Sequence, residues 1–255
     1  MLTSTSRGGI LLTGGSGRLG RELLSLLANV AAPSSARLDV TDTHAVLETV
    51  LELRPAIIVH AAAFTDVRRA EAERERCWAV NVEGTRNVAR AARAAGAKLI
   101  HLSTDYVFSG ERGHYREDDA PGPTRNYYAL TKLVAEEAAR CAPDALIVRT
   151  SFRPREWPYP TAFSDLFTSQ DYVDVIAPEI AQVVWHAADV KYDTLHVATE
   201  RKSVLDLARR RFPGVQPASK ASAGVPLPDD VSLDISRWQR LKADLGVPLG
   251  VVGGE

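Results

Sequence analysis

A glycine-rich turn near the amino terminus, Gly14-Gly-Ser-Gly17-Arg-Leu-Gly20, is the feature that most constrains how this chain can fold. The apolar run from Ile10 to Thr13 leads into the turn, and the stretch from Arg18 to Leu27 follows with leucines at helical spacing. This order predicts a strand, a tight turn and a helix whose amino terminus can hold a pyrophosphate. Glycines at such a junction can also serve only to make the turn, so other features of the chain must show whether a pyrophosphate binds there.

Strand and helix patterns continue to alternate after the turn. We predict further strands at Asn29 to Ala32, at a run ending with Asp39 and Val40, at Pro55 to His60, at Lys98 to Ser103 and at Ala145 to Arg149. Helices are predicted at Asp42 to Leu53, at Glu71 to Ala95 and around Tyr128. Alternation of this kind predicts an α/β fold of the Rossmann type, a doubly wound parallel sheet with helices on both faces.

The pattern loosens after residue 150, which predicts two domains. Residues 1–150 would form a dinucleotide-binding domain, and residues 151–255 a small substrate-binding lobe that is interleaved with it. In this lobe we expect helices at Pro178 to Ala188 and Ser203 to Arg211 and a strand at Thr194 to Ala198. The glycine-rich tail from Gly246 is expected to be mobile.

Composition excludes several classes of function. The net charge of −1 gives no electrostatic reason to expect nucleic acid or an anionic membrane as a partner. The two cysteines, Cys77 and Cys141, form no CxxC pair and lie near no histidine cluster, so we expect neither a metal site nor a disulfide. No apolar run reaches the length of a membrane span, and residues 1–9 lack the apolar core of a signal peptide. A cytoplasmic protein that binds a small molecule fits these features best.

Tyr128 and Lys132 stand four residues apart in a predicted helix, which places them on one face. We expect the ammonium group of Lys132 to lower the pKa of the Tyr128 phenol, so that it can exchange a proton near neutral pH. Thr104 ends the strand that should lie beside them and can orient a substrate carbonyl. Asp105 and Tyr106 follow it and can contact substrate hydroxyls, although loop capping and core packing are the plainer roles for these two.

The end of the second strand bears on the choice of dinucleotide. The sequence from Pro33 to Arg37 holds no carboxylate that could accept a bond from an adenosine 2′-hydroxyl. Ser34, Ser35, Arg37 and the turn's Arg18 could instead bind a 2′-phosphate, which predicts NADPH, with NADH as the other possibility. The arginines could also be ordinary surface charges. Asp39 is predicted to accept a bond from the adenine amine or, more plainly, to cap a turn.

Three other polar residues lie in apolar surroundings. His60 and His101 are predicted to be core histidines with satisfied hydrogen bonds rather than ligands. Asn81 is predicted either to bind a backbone carbonyl or a water molecule that positions Lys132, or to be a plain surface residue.

Six sequence strings together resemble the extended short-chain dehydrogenases, and specifically their dTDP-4-dehydrorhamnose reductase branch. They are residues 14–20, Leu38-Asp-Val-Thr-Asp42, His60-Ala-Ala-Ala-Phe-Thr65, Asn81-Val-Glu-Gly-Thr85, Ser103-Thr-Asp-Tyr-Val-Phe108 and residues 128–132. The resemblance implies reduction of a 4-keto-6-deoxy nucleotide sugar with NADPH or NADH, often by a homodimer. It implies Thr104, Tyr128 and Lys132 as the catalytic set, and substrate contacts at Thr104, Asp105 and around Phe152. It also implies cofactor contacts at Gly14, Gly17, Arg18, Leu19, Asp39, Val40, Ala62, Ala63, Tyr128 and Lys132.

Two other functions are compatible with the same motifs. The stretch from Pro154 to Pro178 is shorter than the resemblance leads one to expect, which would fit a regulatory subunit that binds the cofactor without catalysis. Epimerase, dehydratase or other carbonyl-reductase chemistry on the same fold is the second alternative. Dehydratases usually place both an acid and a base carboxylate beside the threonine, whereas only Asp105 is available here. The complete set of Thr104, Tyr128 and Lys132 favours a reductase.

Overall fold

A six-stranded parallel sheet forms the centre of the protein in the computed structural model, which describes residues 8–224 and 227–247. The strands are β1 (Ile10–Thr13), β2 (Val30–Ala31), β3 (Ile57–His60), β4 (Lys98–Thr104), β5 (Ala145–Thr150), β6 (Phe152–Arg153), β7 (Thr161–Phe163), β8 (Phe167–Thr168), β9 (Asp171–Tyr172), β10 (Thr194–His196), β11 (Lys202–Ser203) and β12 (Gln216–Ala218). The α-helices are α1 (Arg18–Leu26), α2 (Thr43–Leu53), α3 (Val67–Ala72), α4 (Arg74–Trp78), α5 (Gly84–Ala95), α6 (Tyr127–Ala139), α7 (Val173–Trp185), α8 (Val204–Arg209) and α9 (Ser236–Asp244).

The strand order of the large sheet is β2-β1-β3-β4-β5-β10, and all neighbouring pairs are parallel. From β1 the chain passes through α1 to β2 at one edge, and then returns to place β3 on the other side of β1. This reversal is the switch point at which doubly wound sheets bind ligands, outside the carboxyl ends of their strands. The predicted fold class is confirmed.

Helices cover both faces of this sheet. Successive strand residues point to opposite faces, so an uninterrupted apolar strand has apolar side chains to bury on each face. Leu12 belongs to a core cluster that it shares with Leu23 of α1, with α7 and with Trp238 of α9. The adjacent Leu11 belongs to a second cluster on the opposite face, together with Val50 of α2 and with residues of α5 and α6. The apolar run that was predicted as a strand is thus buried on both sides, as is typical of parallel sheets.

A smaller lobe is built from three pairs of short strands, β6 with β9, β7 with β12 and β8 with β11. It has its own apolar cluster, in which Trp157 packs with Leu166, Val204 and Val215. The helix and the strand predicted for this lobe around Pro178 and Thr194 do not belong to it, because β10 pairs with β5 and α7 packs in the core of the large sheet. The division at residue 150 stays a prediction.

Three predicted elements differ from the structure. No strand ends at Asp39 and Val40 in the described part of the chain, because the Ser34 carbonyl accepts bonds from the Arg37 and Leu38 amides, both at 2.9 Å, and makes a turn. Helix α7 begins before Pro178, which lies inside it although proline is typical of a first helical position. The helical stretch of residues 71–95 is divided among α3, α4, a π-helical segment (Ala79–Glu83) and α5.

Some predictions concern residues outside the described ranges. These are the absent signal peptide, which rests on residues 1–9 and thus mostly on residues before the first described one, and the mobile tail, most of which lies beyond residue 247. Within residues 8–224 and 227–247, none of the helices combines the length and the apolar character that a membrane crossing requires.

Candidate functional site

A large cavity lies at the carboxyl ends of β1, β3, β4 and β5 and extends to the small lobe. Its volume is about 1280 Å³, whereas a pocket for a single small ligand typically has about 300–1,000 Å³. Its walls combine the glycine turn, the loops after β2 and β3, the start of α6 and the first strand of the small lobe. The space suits a dinucleotide together with a second ligand.

The glycine turn forms the wall of the cavity under β1. Gly14 has a φ of 75°, in the left-handed region, and its carbonyl accepts the Gly17 amide at 2.9 Å. A Cβ at Gly20 would lie 2.2 Å from the Gly14 carbonyl oxygen, so α1 can approach the turn only with glycine there. Since Gly17 caps α1 without a side-chain bond, the first amides of the helix stay available to an anion.

Most residues predicted to bind a cofactor line the cavity. They are Gly14, Gly17, Arg18, Leu19, Ser35, Asp39, Val40, Ala62, Ala63, Tyr128 and Lys132. The structure does not bring Ser34 and Arg37 to the cavity, because they form the turn after β2 and are exposed to solvent. Arg21, which the sequence analysis missed, lines the cavity one helical turn after Arg18. The helical spacing of the two arginines was the signal that could have identified it.

Asp39 has the turn-capping role that was considered for it and also lies at the cavity. Its Oδ1 accepts the Thr41 amide at 2.9 Å and the Thr41 hydroxyl at 2.8 Å, so it caps a turn. It also lines the cavity. A contact between Asp39 and adenine stays a prediction.

Thr104, Tyr128 and Lys132 come together at the junction of β4 and α6. Thr104 ends β4, where its hydroxyl donates to Asp105 Oδ1 at 3.0 Å and accepts the Tyr106 amide at 3.3 Å. Tyr128 is half-buried and opens into the cavity, one turn before Lys132 on α6. The structure therefore places the two hydroxyl groups together on the cavity wall, with Lys132 one helical turn away from Tyr128.

The predicted effect of Lys132 on Tyr128 is wrong in this structure. Burial raises the pKa of the Tyr128 phenol, and a hydrogen bond with Thr104 only partly opposes this. The Lys132 ammonium donates to the Leu102 carbonyl at 2.7 Å and lies 3.5 Å from His101 Nε2. Burial lowers the pKa of Lys132 to about 8, while Glu136 on the next turn opposes this decrease. Tyr128 is therefore a protonated phenol at neutral pH, and most Lys132 ammonium groups keep their proton.

Asn81 anchors α6 from the π-helical segment. Its amide exchanges two bonds with the Phe64 backbone, at 2.7 and 3.1 Å, and donates to the Thr131 hydroxyl at 2.9 Å. The residue is buried, so the surface alternative is wrong. It contacts the neighbour of Lys132 rather than Lys132 itself. Glu71 of α3 also accepts the Tyr127 amide at 2.7 Å, which caps the helix together with Asn126.

The two core histidines differ in their hydrogen bonding. His60 bonds the hydroxyls of Thr13 and Thr85, at 2.7 and 3.1 Å, which confirms it as a satisfied core residue. His101 is equally buried, but its Nδ1 has no partner among the described residues. The core position is therefore confirmed for both histidines, whereas complete hydrogen bonding is found only for His60.

Asp105, Tyr106 and Phe152, which were predicted to contact substrate, all line the cavity. The Tyr106 ring meets the Tyr128 ring edge-on, with 6.5 Å between ring centroids, so Tyr106 is not simply a core residue. Asp105 is buried, and Thr168 of the small lobe donates to its Oδ2 at 3.4 Å. Burial raises the pKa of this carboxyl to about 6, although hydrogen bonds from Thr104 and others oppose the shift.

Replacement of Asp105 by asparagine should make stability less dependent on pH. The folded protein binds the Asp105 proton more tightly than the unfolded chain, so this group favours folding at low pH and loses that contribution as the pH rises through about 6. We expect Asp105→Asn to raise the free energy of unfolding by about 2–3 kcal/mol at pH 8, but only by about 1 kcal/mol at pH 4.5.

Urea unfolding at both pH values measures this difference. Asp118→Asn is a matched control, since the Asp118 side chain is 82% exposed and should show no such gain. A gain from Asp105→Asn that is equal at the two pH values would contradict the expectation.

Several cavity residues had no signal in the sequence. Thr150, Ser151, Arg153 and Gln170 line the wall formed by the end of β5 and the small lobe, and Arg76 of α4 lines another part. Their placement depends on the pairing of β6 with β9, two strands of two residues each. Across residues 8–224 and 227–247 there is no group of three or more metal-ligating side chains that could hold an ion.

Fold and site together define a class of protein, the doubly wound proteins with a glycine turn at the switch point and a Tyr-Lys pair of the short-chain dehydrogenase kind. Within this class, the family model for the RmlD substrate binding domain matches residues 8–212, and the chain belongs to that family. The family predicted from the sequence motifs is confirmed.

Individual relatives agree with this assignment. The dTDP-4-dehydrorhamnose reductase of Streptomyces griseus is 50% identical over 149 residues, which are 56% of this chain and 49% of that protein. The reductase of the same name from Aggregatibacter actinomycetemcomitans is 33% identical over 180 residues, 67% of this chain and 61% of that protein. In the first of these alignments the chain spans about half the length of its curated relative.

Solved structures extend the similarity through the small lobe. A dTDP-4-dehydrorhamnose reductase from Bacillus anthracis, in complex with NADP, superposes with a TM-score of 0.82 at 27% identity and covers 96% of this chain and 94% of that chain. A Thermus thermophilus UDP-glucose 4-epimerase has a TM-score of 0.70 at 21% identity, which shows a shared fold alone.

Proposed function

We propose that this protein is an NADPH-dependent reductase of a 4-keto-6-deoxy nucleotide sugar. The observation that carries the proposal is the meeting of Thr104, Tyr128 and Lys132 on the wall of a cavity that also contains the glycine turn. Relatives that are 50% and 40% identical over 149 residues are named dTDP-4-dehydrorhamnose reductase and, in Streptomyces niveus, dTDP-4-keto-6-deoxy-D-glucose reductase. All these names denote reduction of a keto sugar linked to a nucleotide.

The glycine turn fits the pyrophosphate of a dinucleotide. A Cβ at Gly14 or Gly20 would enter space that backbone atoms already occupy, and the free amides of α1 face the cavity. Arg18 and Arg21 supply positive charge beside Ser35, and the Arg18 guanidinium makes no ion pair with any other described residue. Arg18 would take the 2′-phosphate that distinguishes NADPH from NADH. The structure of the Bacillus anthracis relative in complex with NADP supports this choice.

The chain's own residues would position the carbonyl and supply the proton. The bound reduced nicotinamide supplies a hydride to the keto carbon. The hydroxyls of Thr104 and Tyr128 hold the carbonyl oxygen, and Tyr128 donates its proton as negative charge develops there. The phenol carries its proton at neutral pH, as a group that protonates the developing alkoxide must. Lys132, one helical turn after Tyr128, would bind the ribose next to the nicotinamide.

The roles of the two parts of the chain, the cellular compartment and the oligomeric state are also part of the proposal. The small lobe would bind the sugar nucleotide, and residues 1–150 would bind the cofactor. A reducing cytoplasm is supported by two free cysteines, one of them, Cys141, exposed. A homodimer is proposed from the family resemblance.

Turnover of a nucleotide keto sugar tests the proposal directly. We expect the purified protein to oxidise NADPH when dTDP-4-dehydrorhamnose is added, with kcat/KM at least about 10-fold higher for NADPH than for NADH, as one charge-assisted contact to the 2′-phosphate implies. A regulatory subunit would be stabilised by NADPH in thermal unfolding but would oxidise none of it. An epimerase would interconvert sugars without net oxidation of NADPH.

A further inference from the structure

The end of β5 and the small lobe form one wall of the cavity. Two residues of this wall each have a polar side-chain atom without a hydrogen-bond partner in the described part of the chain. Among the described residues, five buried side-chain nitrogen or oxygen atoms have no hydrogen-bond partner. Thr150 Oγ1 and Arg153 Nε are two of these five, and both residues line the cavity. Buried polar groups are normally paired, so unpaired ones in residues that line a cavity indicate that a ligand or water supplies the partner.

Arg153 is a cation without a counter-ion. Its guanidinium forms no hydrogen bond or ion pair with any residue in the described ranges, and it lies over the Trp157 ring with 5.5 Å to the centroid. Arg149, on the preceding strand, shows the usual arrangement, since Glu136 binds its guanidinium at 2.8 and 3.0 Å. Holding a partly buried arginine without an anion is unfavourable. The stacking on Trp157 keeps its planar donor group in one orientation, ready to bind an anion.

Gln170 adds a second donor to the same wall. Phe152 and Arg153 pair with Asp171 and Tyr172, so that Gln170 stands beside the start of β6. The residue is only 5% exposed, and its backbone bonds Thr168 and Lys202. Its side-chain amide lines the cavity and bonds no other described residue. The three residues line the same cavity, and the guanidinium of Arg153, the amide of Gln170 and the hydroxyl of Thr150 bond no other described residue.

The hydrogen-bonding chemistry of these groups indicates which ligand they would bind. All three can donate hydrogen bonds, and the planar guanidinium matches two oxygens of a phosphate group at once. Asp105 lines the cavity nearby, but its oxygens accept bonds from Thr104 and Thr168, and it does not pair with Arg153. The glycine turn and the first amides of α1 are other groups of the same cavity, so they remain available for the phosphates of the cofactor.

We propose that Arg153, Gln170 and Thr150 form a subsite for the phosphate group of the substrate. This inference rests on the proposed reduction of a nucleotide sugar and names the residues that would recognise its nucleotide part. The subsite would make the protein favour a phosphate-linked sugar over the free keto sugar. Arg153 is therefore a specificity-determining residue, whose loss should raise KM and leave kcat largely unchanged.

Binding of dTDP to the protein saturated with NADPH tests the subsite without requiring turnover. NADPH blocks the cofactor's own phosphate sites, and thymidine serves as the uncharged probe. We expect Arg153→Met to weaken dTDP binding by about 10- to 100-fold in calorimetry, as expected for loss of a charged hydrogen-bonded pair. Thymidine binding should be unchanged, and Arg153→Lys should retain part of the affinity for dTDP.

Arg155→Met is the matched control, because Arg155 pairs with Glu22 at 2.7 Å and does not line the cavity. It should bind dTDP like the wild type. Equal dTDP affinity in Arg153→Met and wild type, or no dTDP binding by the wild type, would overturn the subsite. If dTDP binds through Arg153 but no nucleotide keto sugar is reduced, the proposed function is wrong and the subsite stands. If reduction occurs with the same KM in Arg153→Met, the subsite is wrong and the function stands.

Discussion

Replacement of Tyr128 by phenylalanine is expected to reduce kcat with a nucleotide keto sugar by about 10²–10⁴-fold, the usual contribution of a positioned general acid. The phenol opens into the cavity beside Thr104, and its raised pKa keeps it protonated at neutral pH. Phenylalanine preserves the ring and its edge-on contact with Tyr106 while it removes only the hydroxyl group. NADPH affinity should therefore change little, because the glycine turn is untouched.

Steady-state kinetics with NADPH and dTDP-4-dehydrorhamnose measure this loss. Tyr127→Phe is the matched control, since that neighbouring ring packs under the Arg74 guanidinium with 4.9 Å to its centroid and does not line the cavity. It should retain nearly full activity. If Tyr128→Phe kept more than about a tenth of the wild-type kcat, a group other than the phenol would be the proton donor.

Motifs made of neighbouring residues were predictable from sequence. The glycine turn and the spacing of Tyr128 and Lys132 depend only on local backbone geometry, and the structure reproduces both. The electrostatics of the same pair were not predictable. Whether Lys132 points at the phenol or at the Leu102 carbonyl depends on how α6 packs against β4, and burial then sets the direction of both pKa shifts.

Long-range contacts explain the other failures. A strand was predicted to end with Asp39 and Val40, but local bonds to Ser34 and Asp39 satisfy the backbone there, and burial of Leu38 and Val40 explains the apolar residues. Arg153 and Gln170 could not be selected from sequence, because each becomes part of the site only through the pairing of β6 with β9. The wall formed by the end of β5 and the small lobe is thus the part of the cavity that sequence patterns predict least well.

A buried ion pair behind the site joins residues that are distant in the sequence, and its disruption is expected to cause a large loss in the free energy of unfolding. Glu136 of α6 accepts Arg149 Nε and Nη2 at 3.0 and 2.8 Å and the Ser103 hydroxyl at 2.6 Å. Both charged side chains are almost completely buried, at 1% and 3% exposure. Glu136→Gln should lower the free energy of unfolding by about 3–5 kcal/mol, because it leaves the Arg149 charge buried without compensation.

Chemical denaturation of the wild type, Glu136→Gln and Glu137→Gln measures the change in the free energy of unfolding that each substitution causes. Glu137 is the next residue of α6 and is 72% exposed, so its substitution should change stability by less than about 0.5 kcal/mol. The double variant Glu136→Met with Arg149→Met removes both charges and should recover most of the loss, since apolar side chains of similar volume often replace a buried ion pair at no net cost. A double variant as unstable as Glu136→Gln would mean that the ion pair itself holds α6 against β4 and β5, and with them the relative positions of Thr104, Tyr128 and Lys132.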